Sequence, residues 1–195
     1  RLFDAYEPIP AEDACGTVGI PRALNLYENY PFWFTFFTKL GYRVVLSDPS
    51  TKKTYEAGIE SMPSESVCYP AKLSHGHIMN LLAKEGDDVV DFIWMPCSKW
   101  ERQEDETAGN HFNCPIVASY PEALRLNIDE LQDAPAAFVA PWLPYHDKDK
   151  LKERLYAELT GTFRDEVGAH EFPITQKQID DAVDACGAIG MRVGL

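Results

Sequence analysis

Two stretches, Gly16-Thr17-Val18-Gly19-Ile20-Pro21-Arg22 and Tyr42-Arg43-Val44-Val45-Leu46-Ser47, decide the fold through what separates them. The first reads as a short apolar strand closed by a turn at Pro21. The second is β-branched and apolar and stops at Asp48-Pro49-Ser50, a sequence that cannot continue a strand. Between them Tyr27 to Leu40 has helical length and ends at Gly41. Phe32, Phe36, Phe37 and Leu40 share one face of that helix, and Trp33 and Phe34 widen it, which predicts burial on more than one side. Strand, helix, strand in this order is what a parallel crossover requires.

Outward from this unit the same alternation continues. Thr54 to Ser61 reads as a short helix. A polar loop, Met62 to Ser66, then leads through Cys68-Tyr69-Pro70 into a longer helix ending near Lys84. Asp91 to Met95 reads as a third strand, Cys114 to Ala118 as a fourth and Ala136 to Ala140 as a fifth. Ser98 to Asn113, highly charged and almost without aliphatic residues, reads as an exposed loop and a candidate flap. Asp147 to Phe163, with Leu151, Leu155 and Leu159 four apart, and Ile174 to Ala188 read as helices. Nearly continuous apolar strands describe a sheet covered on both faces. The expectation is a doubly wound α/β domain: a mostly parallel, Rossmann- or flavodoxin-like sheet of about five strands, helices on both faces, and further helices at the C-terminus. The expected division is a leader over 1–15, the α/β lobe over 16–163, and a helical segment over 164–195 leading toward a second lobe. The start at Arg1, without a methionine, reads as that of an excised or processed piece.

Composition narrows the function classes. In 195 residues the net charge is −13, and the 18 lysines and arginines are scattered rather than gathered in a stripe. That argues against nucleic-acid binding. No run approaches the roughly 18 apolar residues of a membrane span, and no signal pattern opens the chain. The expected location is the cytoplasm. Five cysteines, an odd number, do not describe a secreted disulfide framework. Reduced thiols leave two readings, small buried hydrophobes or ligands of a soft metal.

Topology bears on that choice. Ligands of such sheets bind beyond the carboxyl ends of the strands, where the strand order reverses. Cys97 follows the third strand and Cys68 opens a helix, so both belong to that edge. Cys114 belongs there only if the loop before it folds back or the strand after it starts late. Thiolates suit iron–sulfur clusters or zinc, and the positive end of a helix favours negative charge, a position Cys68 occupies. The spacing is not that of a compact ferredoxin or zinc finger, and buried structural cysteine stands beside the metal reading. Cys15 and Cys186 read as structural. His75 and His77, two apart on a helix, do not form a metal pair and read as surface or capping residues. Arg22 and Asn25, with Tyr27 and Glu28, follow the first strand and are candidates to line a cofactor site. Neither the dinucleotide fingerprint nor a phosphate-binding loop is present, so the motifs give no support to ATP or NAD.

Several ordered motifs carry a family likeness: Val18-Gly19-Ile20-Pro21-Arg22-Ala23-Leu24-Asn25, Tyr30-Pro31-Phe32-Trp33, Leu46-Ser47-Asp48, Glu65-Ser66-Val67-Cys68-Tyr69-Pro70-Ala71-Lys72 and Asn113-Cys114-Pro115. From about Gly16 to at least Pro121 the chain resembles the uncharacterised domain of large acyl-CoA dehydratase activase-related proteins, a domain similar to one lobe of the 2-hydroxyacyl-CoA dehydratase component. The resemblance implies a role near low-potential electron transfer, in which ATPase activase modules of the same or an associated chain drive an electron into a cysteine-ligated cluster. It implies an iron–sulfur cluster, of the 4Fe-4S type, held between two lobes. Cys68 and Cys97 match the first-lobe ligand positions, Cys114 is the conditional third ligand, and a second dehydratase-like lobe supplies the rest. The alternative is a docking or regulatory domain that binds a partner module through its acidic surface without metal.

Overall fold

The computed structural model describes residues 3–101, 103, 105–161 and 174–187. Four strands, β1 (Thr17–Ile20), β2 (Arg43–Leu46), β3 (Phe92–Trp94) and β4 (Ala137–Val139), form one parallel sheet in the order β2-β1-β3-β4. Val18 pairs with Val44 on one side and Phe92 on the other, so β1 is central, and β3 passes the pairing on to β4 through Ile93 and Phe138. The chain moves from β1 outward to β2, then crosses back over β1 to β3. The order therefore reverses between β1 and β3, and their carboxyl ends define the switch point.

Helices cover both faces, as expected. On one face lies α1 (Leu26–Lys39), buried on several sides: Trp33 and Phe37 meet Trp94 of the sheet at 5.0 and 5.3 Å between ring centroids. Its outer side carries α7 (Gln176–Gly187), whose Cys186 Sγ reaches the Phe32 carbonyl oxygen at 3.5 Å. Lys148 and Lys152 of α6 (Lys148–Thr160) both pair with Asp184, at 2.7 and 2.8 Å, and tie α6 to α7. The leader packs here too, with Phe3 on Tyr30 and Tyr6 on Phe34 at 4.9 Å each. At the end of α1, Gly41 takes φ +89°, the left-handed conformation that stops a helix without a Cβ clash.

The opposite face carries α2 (Lys52–Ala57), α3 (Tyr69–Leu82) and α4 (Pro115–Asn127), with the short α5 (Glu130–Asp133) leading into β4. Here one expectation is corrected. Cys114 to Ala118 is the start of α4, not a strand, and the four strands found among the described residues agree with the expected parallel sheet of about five. Pro115 sits in the first helical turn, where its missing N–H costs nothing and its fixed φ is already helical. That outweighs the β-branched Ile116-Val117 pair. Among the described residues no helix is long and apolar enough to cross a membrane.

Candidate functional site

The turns that leave β1, β2, β3 and β4 lie at the carboxyl edge of the sheet, and the N-termini of α3 and α4 are on the same side. The β1 turn contains Leu24 at φ +50°, an uncommon conformation for a residue with a branched side chain. Strain of this kind persists where neighbouring contacts impose it. Arg22, a predicted site residue, supplies such contacts: its backbone N–H donates to Ser47 Oγ at 2.8 Å and its Nε–H to the Ser47 carbonyl at 2.7 Å. Its guanidinium lies 4.5 Å from the Phe3 ring centroid. Arg22 thus staples the β1 turn to the β2 turn.

Behind that staple runs a hydroxyl–imidazole relay. Ser47 Oγ lies 2.9 Å from His77 Nδ1, and His77 Nε2 lies 2.8 Å from the Ser50 hydroxyl at the surface. Burial, assisted by the Arg22 charge, pushes the His77 imidazole down to about 4. Two residues away, His75 is also enclosed by hydroxyls, with Ser61 Oγ at 2.8 Å from Nδ1 and Tyr120 Oη at 2.9 Å from Nε2. Burial pushes it to about 4 as well. Both imidazoles are 0% exposed, which corrects the expectation of surface or capping residues. Between them Gly76 has no room for a Cβ, because the Thr54 carbonyl of α2 rests on the α3 backbone there.

At the switch point Asn25, the second predicted residue, occupies the N-cap position of α1 and stands beside the Glu101 carboxyl. Glu101 comes from the loop after β3. Its Oε1 accepts from Asn113 Nδ2 at 2.9 Å and from Ser98 Oγ at 3.4 Å, and burial raises its pKa against those donors. The loop predicted to be exposed is therefore anchored at its base: Ser98 is fully buried, and Trp100 and Phe112 pair as an antiparallel bridge. A crevice of about 370 Å³, lined by Glu28, Glu101, His111 and Asn113 among others, opens beside it. Sequence reading did not single out Glu101 or the Ser47–His77–Ser50 relay. The one available signal was His75-Gly76-His77, a glycine inside a helix between two polar rings, which marks close backbone packing.

The cysteines separate into two kinds. Cys68 is the N-cap residue of α3 and Cys114 that of α4, where its Sγ accepts from the Val117 N–H at 3.4 Å; both are exposed. Because Cys114 opens a helix and not a strand, it belongs to the same sheet edge as Cys68. Cys97 instead lies inside. Its N–H donates to the Pro141 carbonyl at 2.8 Å, extending the β3–β4 pairing, and its thiol is 0% exposed. Burial, with the charge of Glu122 adding to it, pushes that thiol up to about 12. Cys15 is half-buried, and burial raises it to about 11; Cys186 is fully buried.

An iron–sulfur cluster needs converging thiolates, and that fit is incomplete. Two thiols are open to an outside partner, one is buried and holds its proton, and among the described residues no three His, Cys, Asp or Glu side chains gather closely enough for a metal ion. The edge offers part of a donor set.

No curated protein and no solved structure matches the chain. A family model does: the one described as the CoA enzyme activase uncharacterised domain spans residues 17–189, from the first residue of β1 to beyond α7. The parallel sheet, the staple at Arg22 and the paired helix N-termini all lie within that span, and the chain belongs to this family of CoA enzyme activase domains.

Proposed function

We propose that this domain is an iron–sulfur-binding lobe of an ATP-dependent acyl-CoA dehydratase activase or reductase, serving low-potential electron transfer in the cytoplasm. It offers Cys68 and Cys114 to a 4Fe-4S cluster whose other ligands come from a second dehydratase-like lobe. Cys97, fully buried beside Glu122 and Arg125 of α4, would join them only if that packing opened. ATPase activase modules, in the same or an associated chain, are the expected electron source. The observation that carries the reading is the pair of exposed cysteines at the N-termini of two packed helices on one edge, α3 and α4 being joined by the 2.9 Å His75–Tyr120 hydrogen bond. Arg22 and Asn25 then belong to the wall of the same edge and orient its turns.

Anaerobic reconstitution with ferrous iron and sulfide, on a natural polypeptide that contains this chain and the companion lobe, tests the reading. The expected result is protein-bound iron with visible absorption, reduced at least by half in Cys68→Ala and in Cys114→Ala. Iron content and absorption unchanged in the double variant would sink it, as would zinc in place of iron by elemental analysis.

The absence of a three-donor group among the described residues favours a second reading, a metal-free docking domain that presents its acidic surface to a partner module. Under that reading the protein captures an ATPase module equally well with Cys68, Cys97 and Cys114 all replaced by Ala.

A further inference from the structure

Beyond the end of β4 lies a groove of about 570 Å³, within the usual size of small-molecule sites, whose wall residue Leu143 donates its N–H to the Cys97 carbonyl at 3.0 Å. Its walls are mostly apolar, built from Trp142 just after β4, Trp100 in the loop after β3, and the first three turns of α6. Trp142 is 45% exposed, and Trp100 keeps a place on the wall although Phe112 stacks against it at 3.8 Å between centroids. Trp142 therefore presents an open indole beside the half-buried Trp100, a surface suited to a flat ligand. Around the rings stand Lys99, Lys150 and Arg154, with His146 beside Trp100, while Glu153 is on the same wall. Three cations thus gather here in a chain of net charge −13, beside the carboxylates of Glu153, Asp147 and Glu158.

We propose that this groove binds a purine nucleotide, the base stacking on the indoles and the phosphates meeting Lys99, Lys150 and Arg154. Base stacking on aromatic side chains is strong and needs no sequence-specific motif. Because no glycine-rich phosphate loop exists, side-chain cations must carry the phosphate. Lys150 and Arg154 are held at present by Asp147, the N-cap residue of α6, at 3.0 Å and by Glu158 of α6 at 2.6 Å. Both carboxylates are half-buried, and a bound phosphate takes their place on the two cations.

Calorimetric titration of the full chain with ADP, adenosine and pyrophosphate tests the proposal. ADP should bind at least tenfold more tightly than either fragment, weaken with added salt, and change the tryptophan fluorescence, since Trp33 and Trp94 are fully buried and Trp100 and Trp142 are not. Trp142→Ala should lower ADP affinity at least tenfold with the melting temperature nearly unchanged. The double change Lys150→Gln, Arg154→Gln should weaken ADP but not adenosine. Replacing Cys68 and Cys114 should leave ADP binding intact, which keeps this proposal separate from the cluster reading. No ADP binding at millimolar concentration, or equal binding by the Trp142→Ala and Lys150→Gln, Arg154→Gln variants, would overturn it.

Discussion

His75 and His77 show how a residue's neighbours reverse its ordinary behaviour. Each ring nitrogen of both is met by a hydroxyl, so the neutral form is fully satisfied, and at His77 burial outweighs the favourable charge of Asp48. Both are held down to about 4 by burial, against an ordinary value of 6.5. The unfolded chain therefore binds more protons than the native one between those values, and stability must fall as pH drops from about 6.5 toward about 4. Below that window these two groups add no further slope. Urea denaturation at pH 7.0, 6.0 and 5.0 should show a falling midpoint, and His77→Asn should flatten the trend; equal midpoints in the wild type would contradict it. The cysteines make the same point. Cys68, Cys97 and Cys114 are chemically identical in the sequence, yet burial keeps one protonated and leaves two open to solvent.

At the level of elements, close approach and chain punctuation decide. The α2–α3 contact depends on Gly76, since an added methyl would overlap the Thr54 carbonyl, a backbone atom that cannot swing aside. Gly76→Ala should cost about 3 kcal/mol or more, as overpacking against rigid backbone does. Thermal melting followed by circular dichroism measures it, and a variant as stable as the wild type would show that α2 is free to move. Strands β1, β2, β3 and β4 were legible because buried parallel strands are short apolar runs between turn signals. The start of α4 was not legible as a helix, because Ile116-Val117 carries strand propensity and Pro115 acts through its place in the first turn, which local composition does not reveal. That one assignment moved Cys114 from the uncertain edge to the same edge as Cys68.

Across the whole molecule, the question is whether the C-terminal helix belongs to the same cooperative unit as the sheet. Helix α7 buries Ile179, Val183 and Cys186 completely against α1 and is tied to α6 through Asp184. Ile179→Ala should therefore destabilise the domain by about 3 kcal/mol, within the usual range for a buried aliphatic truncation. Unfolding should remain a single transition by fluorescence and circular dichroism alike. A separate early transition, lost on removing α7, would show that the helix folds independently.

The amino-acid sequence by itself determined the α/β class, the parallel crossovers and the family likeness, because these follow from hydrophobic periodicity and from motifs that stand in the order of the chain. Only the tertiary structure decided which thiols face solvent, that Arg22 is a staple between two turns, that Glu101 and the histidine relay line that edge, and that Trp100 and Trp142 share one groove. Burial, hydrogen-bond partners and stacking all depend on residues brought together from distant parts of the chain, and no local pattern records them.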